Sequence, residues 1–227
     1  MVLAAGRSNS RQAAEALERL CSTYWYPLYA HARRRGYNEH DARDLTQSFF
    51  AHLFQNDALQ KVFQDKGKFR SFLLASLNYF LADARDRDLA QKRGGRHEIV
   101  SFDEQEAEQR YRIEPADPRS PDRIFERRWA LSMLDQVLKR LELEFITAGK
   151  TAQFQRLRVF LVEGAATDTY ANAARDLGLS EEAIKKAVQR LRRRYYELFR
   201  AEIAHTVAAA TEVDEELRYL CALMTDG

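Results

Sequence analysis

Cysteine, proline, glycine and histidine are all scarce in these 227 residues, and each scarcity excludes something. There are two cysteines. Cys21 and Cys221 stand at opposite ends with no CxxC or Cys/His spacing, so neither a disulfide framework nor a zinc site is indicated. Both are expected to be buried or inert thiols in a reducing cytoplasm. Four prolines and nine glycines leave long stretches free of helix breakers. No sustained alternation of Val, Ile or Thr marks a sheet, and Ala, Leu, Arg and Glu are abundant, so the chain is predicted to be all-α. No stretch approaches the eighteen or so uncharged residues that a membrane span requires, and the N-terminus lacks an apolar run with a small-residue cleavage site. The prediction is a cytoplasmic protein without membrane insertion. The five histidines, at positions 31, 40, 52, 97 and 205, fall into no metal-ligand or triad spacing, and no glycine loop suits a phosphate. The expectation is a protein with no catalytic residues, no metal and no cofactor.

Composition permits real cores, with 45% hydrophobic and 31% charged residues. A net charge of +2 hides an uneven distribution. Residues 185–194, KKAVQRLRRR, carry six basic side chains and no acidic one, whereas residues 98–122 carry eight acidic against three basic. Residues 201–227 are also acidic. A basic stripe of this kind points to a polyanion-binding surface on one part of the molecule.

Helical periodicity divides the chain. A first block, 1–97, holds an aromatic-rich helix or pair of helices from Arg11 to Arg35, ended by Gly36. It continues with Ala42, Leu45, Phe49 and Leu53 at helical spacing, with Asp41 as the expected N-cap. Phe69, Phe72, Leu73, Leu77, Phe80 and Leu81 mark another amphipathic helix. Residues 98–122 hold three of the four prolines and most of the acidic excess, which predicts a flexible linker rather than a packed helix. In the block 123–200, Leu131, Leu134, Leu138, Leu141 and Phe145 recur by threes and fours. Residues 201–227 form an extension in which Leu217, Leu220 and Leu223 predict a short amphipathic helix, packed on the second block or on a partner.

From Tyr170 the sequence reads YANAARDLGLSEEAIKKAVQRLRRRYYELF. A DNA-binding helix-turn-helix needs a small residue where the second helix crosses the first, a glycine at the turn, and an aliphatic residue facing back from the second helix. Those requirements fall on Ala174, Gly178 and Ile184. Ala173, Leu177, Leu179, Ala187 and Leu191 supply the other inward positions. Ser180 is the expected N-cap of the second helix, with Glu181 and Glu182 in its first turn. The outward face then offers Lys185, Lys186, Gln189, Arg190 and Arg193. Lys and Arg suit phosphates and guanine edges, and Gln suits adenine. A helical hairpin with a solvated basic face would share the basic stripe but does not require the small residue, turn glycine and inward aliphatic in one register.

The first block narrows the class. YWYPLYAHARRRGYNEHDARDLTQSFFAHLF, followed by GKFRSFLLASLNYFLADARDRDLAQKRGG, resembles region 2 of extracytoplasmic-function sigma factors. DARDLTQSFF matches that family's Asp-Ala-x-Asp-Leu-x-Gln-x-x-Phe pattern, and FRSFLLASLNYFLAD matches its Phe-Arg-x-Trp/Phe-Leu helix, with Phe72 in place of the more usual Trp. The helix-turn-helix then resembles region 4. The resemblance covers most of residues 11–200 and implies two helical domains joined by an acidic linker. It further implies that Asp41, Asp44, Leu45, Gln47, Phe50 and Phe54 dock on core RNA polymerase. Of that helix, Phe49 and Leu53 are assigned to the core. Asn78, Tyr79, Arg85, Arg87, Lys92 and Arg93 are implied at the opened downstream promoter element, where stacking and phosphate pairing would hold the exposed strand. Ser180, Glu181, Lys185, Lys186, Gln189, Arg190 and Arg193 are implied at the upstream element. RGGR at 93–96 reads as a DNA-facing turn. The partners implied are core polymerase, promoter DNA and an anti-sigma or other inhibitory protein. Two other readings stay open: a sigma-like docking module for an inhibitor or signalling protein, and a conventional helix-turn-helix regulator that binds duplex DNA alone as a symmetric dimer.

Overall fold

The computed structural model describes residues 11–55, 68–90, 104–113, 120–162, 169–207 and 209–225. The described residues are helical, without a strand. The fold class is all-α. The chain divides into two compact units, Met1–Ser132 with Ile203–Gly227, and Met133–Glu202.

In the first unit, α1 (Arg11–Arg34) is one helix that runs through Pro27. It is closed by a Schellman motif. Gly36 N–H donates to Arg33 O at 3.1 Å and Tyr37 N–H to Ala32 O at 3.4 Å, with Gly36 at φ 95, a backbone conformation that glycine adopts without cost. Helix α2 (Glu39–Gln55) begins one residue after Asn38. Asn38 Oδ1 accepts from the Asp41 backbone N–H at 2.9 Å, and Asn38 Nδ2 donates to the Asp41 carboxylate at 2.7 Å. Asn38 is therefore the cap, not Asp41, because the helix opens early enough to place Asp41 in its first turn.

Helix α3 (Phe69–Ala90) buries Phe69, Leu73, Leu77 and Leu81, one residue per turn. These meet an aromatic core. Tyr24 lies edge-on to Phe69 at 5.4 Å and stacks on Trp129 at 6.0 Å, while Trp25 stacks on Phe50 at 6.0 Å.

The acidic segment departs from expectation. It contains a helix, α4 (Glu104–Ile113), that ends before the first of its three prolines. Ala107 and Glu108 are buried. Glu108 accepts from the Tyr29 hydroxyl and from Arg33 at 3.1 and 3.2 Å, and Arg112 donates to it at 2.9 Å. Arg110 lies over the Tyr26 ring at 4.2 Å. Acidity here satisfies arginines and a phenol of the folded unit instead of keeping the segment in solvent.

Helix α5 (Pro121–Thr147) starts with proline at its first position, where a missing N–H costs nothing. The boundary between units falls within it, later than the position 123 expected from the sequence. Its buried stripe is Phe125, Trp129, Met133, Val137 and Leu141, and Leu131 is exposed. Of the expected repeat, Leu141 is buried and Leu138 and Phe145 pack against the same core, while at the N-terminal end Trp129 and Met133 take the buried face in place of Leu131.

The second unit comprises the rest of α5, α6 (Thr151–Leu157), α7 (Val159–Val162), α8 (Tyr170–Leu177) and most of α9 (Glu181–Ala204). Phe154, Leu157, Phe160, Ile184, Val188 and Leu191 form the centre of its core.

The C-terminal extension forms a 3-10 turn (Ala210–Glu212) and α10 (Val213–Thr225). Val213, Leu217, Leu220 and Leu223 are buried. It belongs to the first unit rather than packing on the second block, because its carboxylates find cations there. Glu216 pairs with Lys68 at 3.0 Å and with Arg70, and the Tyr219 hydroxyl donates to Glu126. Burial pushes the Cys21 thiol up to about 12, an inert group, whereas Cys221 is exposed.

Candidate nucleic-acid interface

The basic stripe sits on α9, and the residues before it fix how it is presented. Thr169 caps α8 by accepting from the Asn172 backbone N–H at 3.2 Å. Helix α8 ends on Gly178 in the left-handed region, φ 65. Gly178 N–H reaches Arg175 O at 3.3 Å and Leu179 N–H reaches Ala174 O at 2.9 Å, a second Schellman closure. Ser180 Oγ then accepts from the Ala183 N–H at 3.2 Å, capping α9. Ala173, Ala174, Ile184, Ala187 and Leu191 are buried in the core the two helices share. Two helices joined by a tight glycine turn thus present the basic stripe. Leu179, expected to face inward, is 45% exposed, since the turn that satisfies its N–H carries its side chain out to solvent.

Lys185, Lys186, Gln189, Arg190 and Arg193 are exposed on α9, as are Ser180 and Glu181. Lys185 pairs with Glu181 at 3.0 Å and Lys186 with Glu182 at 2.9 Å, both one turn apart. Two other members of the stripe are internal braces. Arg192 donates to the Phe160 carbonyl at 2.9 Å. Arg194 forks onto Glu144 with two contacts of 2.8 Å. The hydrogen bonds from Arg194 outweigh the effect of burial and hold the Glu144 carboxyl below its usual range. A cleft of about 370 Å³ runs beside the stripe and brings Lys150 and Gln153 alongside Arg190 and Arg193 over Phe145 and Leu157. Lys150 and Gln153 carry no motif of their own. Only the turn at Gly149, which places the start of α6, could have drawn attention to them.

In the first unit the residues matched to the downstream element separate. Tyr79 is 85% exposed on α3, an unusual position for a phenol ring. Arg85 is exposed on the same helix. Asn78 is committed to α1 instead: its Oδ1 lies 2.9 Å from His31 Nε2 and accepts from Arg35 Nη2 at 2.9 Å. His31 is buried, which holds its pKa below the usual value despite the opposing hydrogen bond with Asn78. Arg87 lies in α3 but its side chain is outside the described residues, as are Lys92, Arg93 and the RGGR turn.

The residues matched to polymerase docking lie along α2. Asp41 and Asp44 are exposed, and Leu45, Gln47 and Phe54 are half-buried. His40 Nδ1 lies 3.3 Å from Asp44. Phe50 needs correction. It is 4% exposed, stacked on Trp25 and tilted against Phe54 at 5.8 Å, so it is core and unavailable as a docking side chain.

Among the described residues no group of three or more His, Cys, Asp or Glu could hold a metal ion, and no helix is long and apolar enough to cross a membrane. Two all-helical units, one of them carrying a capped helix with a basic outer face, set the class of protein that the family match then identifies. The model of the ECF sigma factor family matches residues 8–201, and the chain belongs to that family. It is accordingly a transcription-initiation factor, in a family of non-enzymatic proteins whose partners are RNA polymerase and promoter DNA. No individual curated protein and no solved structure shows significant similarity to the chain.

Proposed function

We propose that the second unit reads the upstream promoter element through α9, with Lys185, Lys186, Gln189, Arg190 and Arg193 in the major groove and Ser180 and Glu181 at its entry. The observation that carries this reading is the combination of a capped helix, a left-handed glycine turn and four exposed cations on one helix. The lysines pair with exposed carboxylates one turn away, and Lys185 also lies over the Tyr170 ring at 5.9 Å. Such pairs are worth a few tenths of a kcal/mol, about 0.3–0.5, so exchanging a carboxylate for a phosphate is inexpensive.

The first unit engages and opens the downstream element. Tyr79 offers an exposed ring for base stacking and Arg85 a nearby cation, and Arg87, Lys92 and Arg93 extend the same stretch of sequence. Asp41, Asp44, Leu45, Gln47 and Phe54 form the polymerase contact: exposed carboxylates supply specificity, and the partly exposed apolar groups supply binding energy. An inhibitory protein that covers this α2 surface would silence the factor.

The test is transcription in vitro from a randomised promoter pool with core polymerase, comparing wild type with Lys186→Ala and Arg190→Ala. The expected result is a discrete promoter set for wild type and relaxed upstream preference for both variants. Unchanged preference would overturn the assignment of α9. Absence of binding to core polymerase would overturn the function.

A further inference from the structure

The family match ends at residue 201, yet the chain beyond it is built into the first unit through charges that are hidden from water. Glu216 is 1% exposed and Arg70, its partner, 3%. Arg70 lies in the Phe-Arg motif that opens α3, so a residue inside the matched region has its buried counter-charge outside it. The contact is not a single pair. Arg70 Nε also donates to Glu126 at 3.2 Å, Tyr219 donates to the same carboxylate, and the Arg70 guanidinium lies over the Tyr219 ring at 4.7 Å. Lys68 binds Glu216 from the other side at 3.0 Å. The Phe69 N–H donates to Thr206 O at 3.2 Å, tying the first residue of α3 to the segment leading into α10.

The connectivity gives this docking its meaning. Helix α9 carries the DNA-reading side chains and is continuous from Glu181 to Ala204. From Ile203 onward the chain belongs to the first unit. The second unit is thus connected to the first at both of its ends, through α5 and through α9, and the second connection is held by residues 203–207 and reinforced by α10. A sigma factor must let its two DNA-reading units meet two promoter elements at a separation set by polymerase and DNA. One connection permits more separations than two.

We propose that the C-terminal segment is a latch acting in cis: α10 occupies a charged docking face at the start of α3 in the resting factor and leaves it when the factor engages its promoter. The docking face selects its occupant by chemistry, requiring a buried carboxylate for Arg70 and Lys68 and a phenol for Glu126 three residues later. The inference rests on the sigma-factor reading above. Neutralising one member of a buried pair strands the other, so Glu216→Gln weakens the latch. Leu220→Asp breaks the apolar stripe of α10 without touching Arg70.

The experiment uses the full chain. Amide hydrogen exchange over residues 213–225 is measured without polymerase, and transcript yield from one fixed promoter is measured with core polymerase. Both variants are expected to speed exchange in α10 by at least about tenfold and to raise transcript yield roughly threefold or more, with polymerase affinity unchanged. Unchanged exchange overturns the latch, and so does a freed α10 with equal or lower transcript yield. Stimulation by one variant alone also overturns it, since release is what is proposed rather than the loss of one side chain. If Glu216→Gln loosens the whole first unit, Tyr219→Phe replaces it, removing only the hydrogen bond to Glu126. A wild type that fails to bind core polymerase refutes the sigma-factor reading separately, because the exchange measurement does not depend on it.

Discussion

The basic face of α9 makes a quantitative claim about salt. Lys186 is 64% exposed and its partner Glu182 77%, so the pair contributes little, about 0.3–0.5 kcal/mol, and does not compete seriously with a phosphate. Arg190 is exposed and pairs with no carboxylate among the described residues. Each is expected to neutralise one phosphate, which makes the slope of log K against log salt shallower by about 0.9 on removal. Lys186→Ala and Arg190→Ala should each lower affinity by about 1 kcal/mol at moderate salt, and a base-edge contact would add roughly 1–3 kcal/mol of lost discrimination. The assay is fluorescence anisotropy of the polymerase complex on a duplex holding only the upstream element, across a potassium chloride series. Arg192→Ala is the control. Its guanidinium braces the Phe160 carbonyl, so its removal should lower the melting temperature of the second unit and leave the slope alone. If the Lys186 and Arg190 variants kept the wild-type slope while Arg192→Ala changed it, the outward face of α9 would have been misassigned.

Other expectations follow from single interactions. Gly178→Ala places a side chain at φ 65 with no atom within 4 Å of the new Cβ, so the cost is backbone conformation alone, about 1–2 kcal/mol. Thermal melting should show the loss, with Gly178→Asn milder. Glu108→Gln leaves Tyr29 and Arg33 with a weaker partner, about 2 kcal/mol, and amides of residues 104–113 should exchange faster than those of α1. Acid should loosen the first unit in two stages. His31 binds its proton less readily in the fold than in the unfolded chain, so its contribution is complete above about pH 6.5 and is lost as pH falls towards its depressed folded value. For Glu108, burial is outweighed by hydrogen bonds from Tyr29, Arg112 and Arg33 that hold the carboxyl below 4.5, so its contribution is present above that pH and lost as pH falls through the lower folded value. Melting temperature against pH for wild type and Glu108→Gln should differ only in the lower stage. Tyr79→Ala should remove a stacking platform worth about 1–3 kcal/mol, reducing permanganate reactivity of the opened promoter while duplex binding persists; equal reactivity would refute the role of the ring.

Local chemistry was legible in the sequence wherever a short pattern decides the structure. Gly36, Gly178 and Ser180 act through their own backbones and neighbours, and each ends or caps the helix its position predicted. Ala174 and Ile184 are buried in one core as expected because a fixed turn leaves one register. Interactions between segments far apart in sequence were hidden. Composition made the acidic segment look like a solvated linker, but Glu108 finds Arg33 and Tyr29 more than seventy residues away. No period in the sequence records that pairing. The same holds for Glu216 and Arg70, and it is why the sequence placed the C-terminal helix on the second block or a partner and not on the first. Phe50 shows the reverse limit: a matched motif gives a residue type at a position, and only packing against Trp25 decides that the ring is core. On α5, Leu138, Leu141 and Phe145 meet the core as the repeat predicted, and only Leu131 yields its place to Trp129 and Met133.

Arg70 is a buried cation that serves four partners at once. Its Nε serves Glu126, its Nη1 serves Glu216, and its plane covers the rings of Tyr219 and, at 5.2 Å, Trp129. A lysine keeps the charge but has one compact ammonium in place of a planar fork, so it can satisfy either carboxylate or either ring, not all four. In a mutational library, position 70 should therefore reject lysine almost as firmly as alanine, while neighbouring Lys68, with its 31% exposed side chain, should accept arginine freely. Tolerance at position 70 should widen only in chains that have also changed Glu216, so that two positions 146 residues apart would be inherited as a pair.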